Sequence, residues 1–586
     1  MPEPPGPTDA ERGVLVGLDL RGIQDFVYEG RRLLDAIGRS ALVGDLVRTV
    51  PVRGEPDIAD LLRGIDCTTI RDTGGALWVA FHGEQAARDA RGFTAEYTRR
   101  LRETSVRIQP VVKHLRYGAD DTEAKTLADA VRDIGRLLAA ESRDHSHTPV
   151  LGYGVTAICE VTGRPAETVD PDRGRETPDR PDEAAPERVA RDVRHARARG
   201  RTWHQQKNED WLAELPPFRG IPLDLPMDVE QLGREMGEVS RQAVIHLDFN
   251  DLGKTLHAHA DAQHGTTDFT TRMRELSGQV RTLTEGLARA MTRAVTNALQ
   301  EESDAEPWPV LRGTLPNQLL RVATHRDRSG MDFVKVPLRP IVAGGDDLTI
   351  ICDGRLAWSL TRFALDWLDR VEVAEGDPRH PFTELGPNPD WDIEREVGDQ
   401  GAVTGVPTMK VGIAVQPVGA PLIAGYQISE ALAKRAKDHR RDMRTTGDDD
   451  DHAVVWSLDF DTPERVMDRL QHRATGTGDP LTAQPMLGSE FRDFLTTYFA
   501  VAGDRPHSLR GPTWRENRSW LIGDLMKLLE QGHDLAAELQ RRKSLELPHQ
   551  LPEHADRRDD TDARARLYEA LQLIDLHLDV NLEEVP

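Results

Sequence analysis

Two aspartates directly follow two glycines in the segment Gly344–Asp347, which reads GGDD. A third aspartate, Asp248, lies near the end of the upstream apolar run AVIHLDF. Carboxylates that are crowded together repel one another, and a divalent cation with a preference for oxygen ligands, Mg²⁺ or Mn²⁺, relieves that repulsion. Two such ions can activate an attacking hydroxyl and stabilise a leaving pyrophosphate. These acids therefore predict phosphoryl transfer on a nucleoside triphosphate.

The two glycines add to this prediction because Gly344 and Gly345 have no side chain, so a nucleotide can approach the backbone closely. Gly and Asp are also favoured in turns for local reasons, and GGDD alone is equally consistent with a surface hairpin turn. The apolar strands on both sides of GGDD and the acid-bearing strand upstream favour the catalytic interpretation.

The sequence contains one frame twice, in the order strand, helix, hairpin with a Gly-Gly turn, helix, strand. In the alignment of the two copies, Asp19 corresponds to Asp248, and Gly74-Gly75 corresponds to Gly344-Gly345. This order predicts an antiparallel sheet with helices on one face, a ferredoxin-like α+β unit. The internal repetition strengthens the prediction.

The expected elements divide the chain into four segments. Residues 13–166 form a first domain, 239–446 a second domain with GGDD, and 452–586 a mainly helical C-terminal domain. Residues 167–238 are expected to be a disordered or irregular linker, because much of this stretch is rich in Pro, Asp and Arg. The last strands of the two copies are expected at Val150–Glu160 and Met409–Gln416.

Composition excludes several classes of protein. The 586 residues have a net charge of −24, which argues against a protein that coats nucleic acid by bulk electrostatics but leaves a local basic groove possible. Three scattered cysteines exclude a disulfide framework and a Cys₄ zinc site. No signal peptide and no run of 18 apolar residues are found, so a cytoplasmic protein with no membrane contact is expected.

Four segments resemble a known family: GLDLRGIQDFVYEG, GYGVTAICEVTGRPA, HLDFNDLGK and VAGGDDLTIICDG are similar to the large palm-domain subunit of type III CRISPR effector complexes. The resemblance covers about Val14 to Asp438 in two pieces. It implies two palm domains related to those of nucleotide cyclases and polymerases. It also implies that the second palm converts ATP into cyclic oligoadenylate messengers when a complex with guide RNA and other subunits binds target RNA.

The resemblance also implies roles for individual residues. The metal-binding and catalytic acids would be Asp248, Asp346 and Asp347, and the nucleotide-binding residues would be Gly344, Gly345, Phe249, Asn250 and Lys437. The first palm has Ala76 and Leu77 in the aligned positions of Asp346 and Asp347, so it is expected to be inactive.

The sequence departs from the family pattern in two ways. Many members begin with a His-Asp nuclease domain and carry a cysteine-based zinc insert, whereas this sequence enters its first strand at Val14 and has no cysteine between the two copies' expected domains. We therefore expect no metal-dependent cleavage of single-stranded DNA. The dipeptide His533-Asp534 and the histidines His257, His259 and His264 are expected to be solvated rather than metal ligands.

Three hypotheses for the function remain open from the sequence. The first is a cyclic oligoadenylate synthase, the second a non-catalytic scaffold subunit of an RNA-guided complex, and the third a stand-alone nucleotide cyclase. The basic stretch Arg194–Arg201 could contact RNA phosphates, but its neighbours form a charged linker, which favours a merely solvated segment. The intact GGDD favours an enzyme, because a scaffold has no need to keep three carboxylates together.

Overall fold

The computed structural model describes residues 12–50, 58–103, 108–118, 124–144, 156–170, 186–233, 241–250, 269–303, 307–314, 318–326, 330–345, 347–370, 377–379, 406–444, 452–500, 508–510, 521–532 and 561–583. These residues form a mixed α+β protein with several sheets, which confirms the predicted class. None of the helices in these ranges is both long and apolar enough to span a membrane.

The first sheet has four antiparallel strands, which are β1 (Gly13–Arg21), β2 (Cys67–Thr73), β3 (Ala76–His82) and β4 (Gln109–Tyr117). Their order is β2-β3-β1-β4. Strand β1 therefore lies between β3 and β4 and is antiparallel to both, as in a ferredoxin-like sheet. The helices of this unit are α1 (Ile23–Tyr28), α2 (Leu33–Val47), α3 (Ala59–Leu62), α4 (Ala86–Glu103) and α5 (Leu127–Asp144).

The predicted last strand of the first copy is wrong. Strand β4, at Gln109–Tyr117, pairs with β1 in the place that was expected for Val150–Glu160. Residues 145–155 lie outside the described part of the chain, and Ile158 forms only an isolated bridge with Pro165. The sequence QPVVKHLRY hides this strand because exposed His114 and Arg116 and the partly exposed Lys113 interrupt its apolar pattern, as expected for an edge strand.

The connection between the two units is more ordered than an irregular linker. It contains β5 (Thr168–Asp170), β6 (Glu187–Val189), the 21-residue helix α6 (Arg191–Trp211) and β7 (Leu223–Asp224), followed by a 3₁₀ turn at Val229–Gln231. The prediction of a disordered or irregular segment is wrong for α6, which packs along α2. Where these helices cross, a Cβ on Gly38 would lie 1.7 Å from the carbonyl oxygen of Ala196, so only glycine fits there.

Buried charges explain why composition wrongly predicts an irregular segment where α6 forms. The guanidinium of Arg197 is fully buried and donates to Asp35 on α2, and also to Asp170 and Glu187 of the small β5-β6 sheet. A buried charge is tolerated where it is paired and hydrogen-bonded. Charged residues of this stretch, whose abundance predicts a solvated segment, therefore form buried ion pairs that attach the stretch to the first unit.

The second sheet has six strands, which are β8 (Arg241–Phe249), β14 (Leu338–Gly344), β15 (Asp347–Asp353), β16 (Met409–Pro417), β17 (Ala453–Ser457) and β18 (Met486–Leu487). Their order is β14-β15-β8-β16-β17-β18, so the first four strands repeat the order of the first sheet. The helices of this unit are α7 (Phe269–Asn297), α8 (Ala357–Leu368, after a 3₁₀ turn at Gly354–Leu356) and α9 (Leu422–Arg444).

A set of short strands is inserted between α7 and β14. These are β9 (Leu299–Glu301), β10 (Pro309–Arg312), β11 (Leu319–Arg321), β12 (Thr324–Arg326) and β13 (Asp332–Lys335). They form two three-stranded sheets, one of which includes β7 from the connection.

The C-terminal region begins inside the second sheet, because β17 pairs in parallel with β16. Beyond β17 and apart from β18, the described residues contain α10 (Pro463–His472), α11 (Gly488–Phe499), a π-helical turn at Leu521–Leu525, α12 (Met526–Gln531) and α13 (Thr561–Leu573). Helices α11, α12 and α13 share an apolar core with α7, α8 and one face of the second sheet, whereas α10 packs in a separate cluster with α9 and β17.

The two units pack closely against each other. One apolar cluster contains Val16 and Leu18 of β1 together with Val244 of β8 and Ile351 of β15. Helix α2 of the first unit contacts β14 of the second, and α7 of the second unit contacts β2 of the first. This reciprocal packing brings the two hairpin turns together.

Candidate functional site

Asp248 and Asp347 are direct cross-strand partners at one end of the second sheet. Directly opposed residues of an antiparallel pair project from the same face with their Cβ atoms roughly 5 Å apart. The side chain of Asp248 is 20% exposed and that of Asp347 is 34% exposed, so both carboxylates are reachable from solvent. The structure thus places two of the three predicted acids together.

A histidine lies on the same face as these acids. His246 precedes Asp248 by two residues, and one ligand atom from each of His246, Asp248 and Asp347 lies within 4.8 Å of the others. Nδ1 of His246 lies 3.3 Å from Oγ1 of Thr349, which leaves Nε2 on the side of the carboxylates, 4.0 Å from Asp347. Burial, and then the charge of Lys410, lowers the pKa of His246 to about 4, so its ring is neutral at physiological pH.

Lys410 lies on the other side of Asp248. It is the direct partner of Asp248 across strands β8 and β16, and its ammonium contacts Oδ2 of that carboxylate. Only 4% of Lys410 is exposed. Asp248 is therefore flanked by an acid on one neighbouring strand and a buried base on the other.

The first unit supplies part of the layer beneath these residues. Tyr28 of α1 stacks on Tyr426 of α9 with ring centroids 4.3 Å apart, and the rings of His246 and Tyr426 are nearly perpendicular with centroids 5.6 Å apart. Burial raises the pKa of Tyr426, and the nearby carboxylates of Glu430, Asp347 and Asp248 act in the same direction. Both phenols are therefore neutral, and their stacked rings pack against His246 beneath the acidic pair.

The Gly344-Gly345 turn is held at the interface of the two units. Gly345 has a φ of +66°, and a Cβ there would lie 2.9 Å from Cα of Gly74 in the first unit's turn. Oγ1 of Thr284, on α7, lies 2.6 Å from the Gly345 carbonyl oxygen. At Gly344 a Cβ would meet no atom of the described residues within 4 Å, so these residues leave space at the backbone beside Asp347.

A cavity of about 160 Å³ lies at this interface. Both glycine turns and Asp347 line it, together with Arg48 of the first unit and Arg281 of α7. Arg281 lies 3.6 Å from Asp72, a carboxylate that also accepts from the backbone and hydroxyl of Thr49. The guanidinium groups give this cavity donors suited to phosphate oxygens.

The remaining predicted site residues are Asp346, Phe249, Asn250 and Lys437. Asp346 lies outside the described residues. The ring of Phe249 is buried in the core on the opposite face from Asp248, and Asn250 is buried and donates from Nδ2 to Oγ1 of Thr408 at 2.8 Å. Lys437 is exposed on α9, about three turns or roughly 16 Å along the helix from Tyr426.

The first unit has the same register with different side chains. Asp19 on β1 is opposite Ala76 and Val111, where Asp248 is opposite Asp347 and Lys410. The counterpart of Asp347 is therefore Ala76 and not Leu77, so the predicted alignment of the two hairpins is wrong by one residue. Because strands alternate faces, Leu77 points to the opposite side of the sheet.

Two residues of the site were missed from the sequence. Neither His246 nor Lys410 was assigned a role, although each lies on a strand that was predicted. The period-two alternation of AVIHLDF already places His246 on the face of Asp248. No such local signal exists for Lys410, since its partner is set by the pairing of β16 with β8.

The donor set fits a divalent cation. Two carboxylates and an imidazole each bring one potential ligand atom within 4.8 Å of the others. The two carboxylate charges repel, and a divalent cation would relieve that repulsion beyond what the Lys410 ammonium does at Asp248. Carboxylate oxygens suit Mg²⁺, and an added imidazole nitrogen also suits Mn²⁺. Asp248 and Asp347, with His246 beside them, would hold the ion.

Neither a protein-family model nor a curated protein matches this sequence. Among solved structures, the chain is similar to Csm1 of type III-A CRISPR-Csm complexes. The apo Csm1-Csm4 cassette has a TM-score of 0.48 at 13% identity, over 97% of this chain and 70% of that chain. Csm1 of T. onnurineus has a TM-score of 0.46 at 13% identity, over 96% and 70% of the two chains. A Csm1-Csm4 cassette in complex with cA4 has a TM-score of 0.47 at 14% identity, with coverage of 96% and 70%.

Of the remaining motifs, the structure describes only the basic stretch Arg194–Arg201. The histidines His257, His259 and His264 and the dipeptide His533-Asp534 lie outside the described residues. The basic stretch Arg194–Arg201 forms part of α6, where Arg197 is buried against acids and Arg199 pairs with Asp45. These two arginines are therefore engaged within the fold.

Proposed function

We propose that this chain is a metal-dependent nucleotidyltransferase that converts ATP into cyclic oligoadenylate messengers, as a subunit of a type III CRISPR-like antiviral effector complex. The observation that carries the proposal is the direct pairing of Asp248 with Asp347 beside the open backbone of Gly344. ATP and the class of product come from the resemblance of the sequence motifs to those of the palm-domain subunits. The same resemblance makes guide RNA and other effector subunits its partners, and target RNA its activator.

The residues of the site have distinct roles in this proposal. Asp248 and Asp347 hold the cation, and Asp346 is proposed as a further ligand because it adjoins Asp347 in the sequence. The bound cation lowers the pKa of an attacking hydroxyl and offsets the charge of the phosphates. Gly344 and Gly345 admit the nucleotide to the backbone. Phe249, Asn250 and Lys437 are retained as proposed nucleotide-binding positions on the resemblance alone.

The interface cavity is proposed to bind part of the nucleotide. At about 160 Å³ it is smaller than the roughly 300 Å³ of typical small-molecule sites, so a nucleoside triphosphate would extend from it over the exposed side of Asp347. Arg48 and Arg281 would then face phosphate oxygens. Because both units line the cavity, the first unit would contribute to binding even though it lacks an acidic pair.

The test is incubation of the full chain with each of the four ribonucleoside triphosphates and Mg²⁺ or Mn²⁺, followed by mass analysis of the products. The reaction is run with the protein alone and with co-purified RNA. We expect cyclic oligoadenylates from ATP, and no product from a folded Asp347→Asn variant. Intact triphosphates in every reaction of a folded wild-type protein would overturn the proposal and favour the scaffold hypothesis.

A further inference from the structure

Lys410 is a buried base in contact with a predicted metal ligand. Its ammonium contacts Asp248 Oδ2, and only 5% of its side chain is exposed. Burying a lysine is costly unless its charge is paired. The side chain therefore depends on Asp248, and Asp248 has one of its carboxylate oxygens engaged by an internal cation.

The first unit provides a comparison within the same chain. There, Asp19 is flanked by Ala76 and Val111, in the register positions of Asp347 and Lys410. Asp19 instead pairs with Arg21 of its own strand at 3.1 Å, and both side chains are about one-third exposed. The buried lysine thus occurs in the unit that carries the paired acids and is replaced by valine in the unit that does not.

This correlation has a simple electrostatic explanation. Asp248 and Asp347 are neighbours on adjacent strands, so their negative charges repel when no metal ion is bound. An ammonium placed against Asp248 lowers that repulsion. The same ammonium also repels a divalent cation that binds to the two carboxylates, and it holds an oxygen atom that the cation would use.

We infer that Lys410 is a built-in counter-ion, which stabilises the acidic pair in the metal-free protein and competes with the divalent cation for Asp248. The inference rests on the proposed function in that it takes Asp248 and Asp347 as the cation ligands. It makes Lys410 a positioning residue, which sets how tightly the site binds its metal. A lysine that served instead to bind substrate phosphate would leave metal affinity in the absence of nucleotide unchanged.

The test measures metal binding without nucleotide. The dissociation constant of Mn²⁺ is determined by electron paramagnetic resonance on the full-length wild type and on Lys410→Met, Lys410→Gln and Lys410→Arg. We expect both neutral variants to bind Mn²⁺ roughly three- to tenfold more tightly, the effect of removing one nearby positive charge close to a protein surface. Lys410→Arg keeps the charge, so its affinity is expected to stay within about twofold of the wild type.

Thermal unfolding supplies a second readout. Without metal, Lys410→Met is expected to unfold at a lower temperature than the wild type, and Mn²⁺ is expected to raise its unfolding temperature more than that of the wild type, since tighter binding stabilises more. Lys335→Met is the matched control, because Lys335 is also buried and contacts Asp224 of β7 in a different sheet from the acidic pair. It is expected to lose stability without any change in Mn²⁺ affinity.

Equal or weaker Mn²⁺ binding by both neutral variants would overturn the inference. Asp347→Asn shows that the measured ion occupies this site, since this variant is expected to bind Mn²⁺ much more weakly. If the wild type binds Mn²⁺ but makes no product from any nucleotide, the proposed activity fails while the role of Lys410 is still decided by the affinities.

Discussion

Gly345 of the second unit lies against Gly74 of the first, with a Cβ on Gly345 only 2.9 Å from Cα of Gly74. Both residues have positive φ angles, +66° and +62°. The turn beside the acidic pair is therefore shaped by contact with the corresponding turn of the other unit. This contact couples the geometry of the candidate site to the packing of the two units.

Replacing Gly345 with alanine is expected to lower the free energy of unfolding by about 1–3 kcal/mol, because the new Cβ meets backbone atoms and a non-glycine residue is strained at this φ. Gly344→Ala is the matched control, since its Cβ would enter open space. We expect its stability to lie within about 0.5 kcal/mol of the wild type. Urea denaturation measures both, and equal losses in the two variants would contradict the assigned contact.

The two sheets differ in their expected contribution to chemistry. Asp347→Asn is expected to abolish nucleotide conversion, because it removes one of two opposed metal-binding carboxylates. Asp19→Asn in the equivalent position of the first unit is expected to retain most of the activity, since Ala76 and Val111 offer neither a second ligand nor a counter-ion. Product yield is measured by mass analysis on variants shown by circular dichroism to be folded. A comparable loss in both variants would assign chemistry to the first unit.

Helix α6 is expected to depend on one buried arginine. Arg197→Met leaves Asp35, Asp170 and Glu187 without their shared partner, and breaking a buried ion pair costs about 3–5 kcal/mol. The control is Arg194→Met on the exposed side of the same helix, with an expected change of about 0.5 kcal/mol or less. Guanidinium denaturation followed by circular dichroism gives both values. A small effect of Arg197→Met would show that α6 is held by apolar packing instead.

Stability is expected to fall in mild acid because of His577. Its ring is buried between Trp358 and Phe499, and neither ring nitrogen has a hydrogen-bond partner among the described residues. Burial, with Arg510 and Arg362 nearby, lowers the pKa of His577 well below 6.5. Between its unfolded and folded pKa values the unfolded chain binds one more proton, so this contribution to stability is complete above about pH 6.5 and is lost as the pH falls, by about 1.4 kcal/mol per pH unit.

The measurement compares the free energies of unfolding at pH 7.5 and 5.5 for wild type and His577→Phe. The variant keeps an aromatic ring but cannot titrate, so its pH dependence is expected to be shallower by the contribution of one proton. The exposed His472→Gln variant serves as the control and is expected to follow the wild type. Identical slopes for His577→Phe and wild type would show that His577 does not stay neutral in the folded protein.

Local pattern was enough to predict much of the second unit. The apolar run that ends near Asp248, the Gly-Gly turn and the strand after GGDD are continuous in sequence, and their periodicity and turn residues specify them directly. Strand order predicts that Asp248 and the Asp346-Asp347 pair meet at one edge of the sheet, and the structure shows that Asp347 is the residue opposite Asp248. The last strand of the first unit's sheet, Gln109–Tyr117, corresponds to β16 of the second unit. It was missed because one of its faces is polar and exposed.

The one-residue error in aligning the two hairpins has a similar origin. Two glycines appear in both turns, but the pairing of Thr73 with Ala76 corresponds to that of Gly344 with Asp347. Register is set by which side chains face the core, and a shift of one residue reverses the faces. Composition of the turn alone does not contain that information.

The sequence by itself determined the α+β class, the repeated frame and the acids that meet at the end of the second sheet, because these depend on periodicity and turn chemistry within short segments. Only the tertiary structure decided that Lys410 is the partner of Asp248, that Tyr28 of the first unit stacks under the site, and that Arg197 anchors α6. These contacts join residues far apart in the chain. Their energies come from burial and from charge pairing, which exist only once distant segments of the chain have packed together.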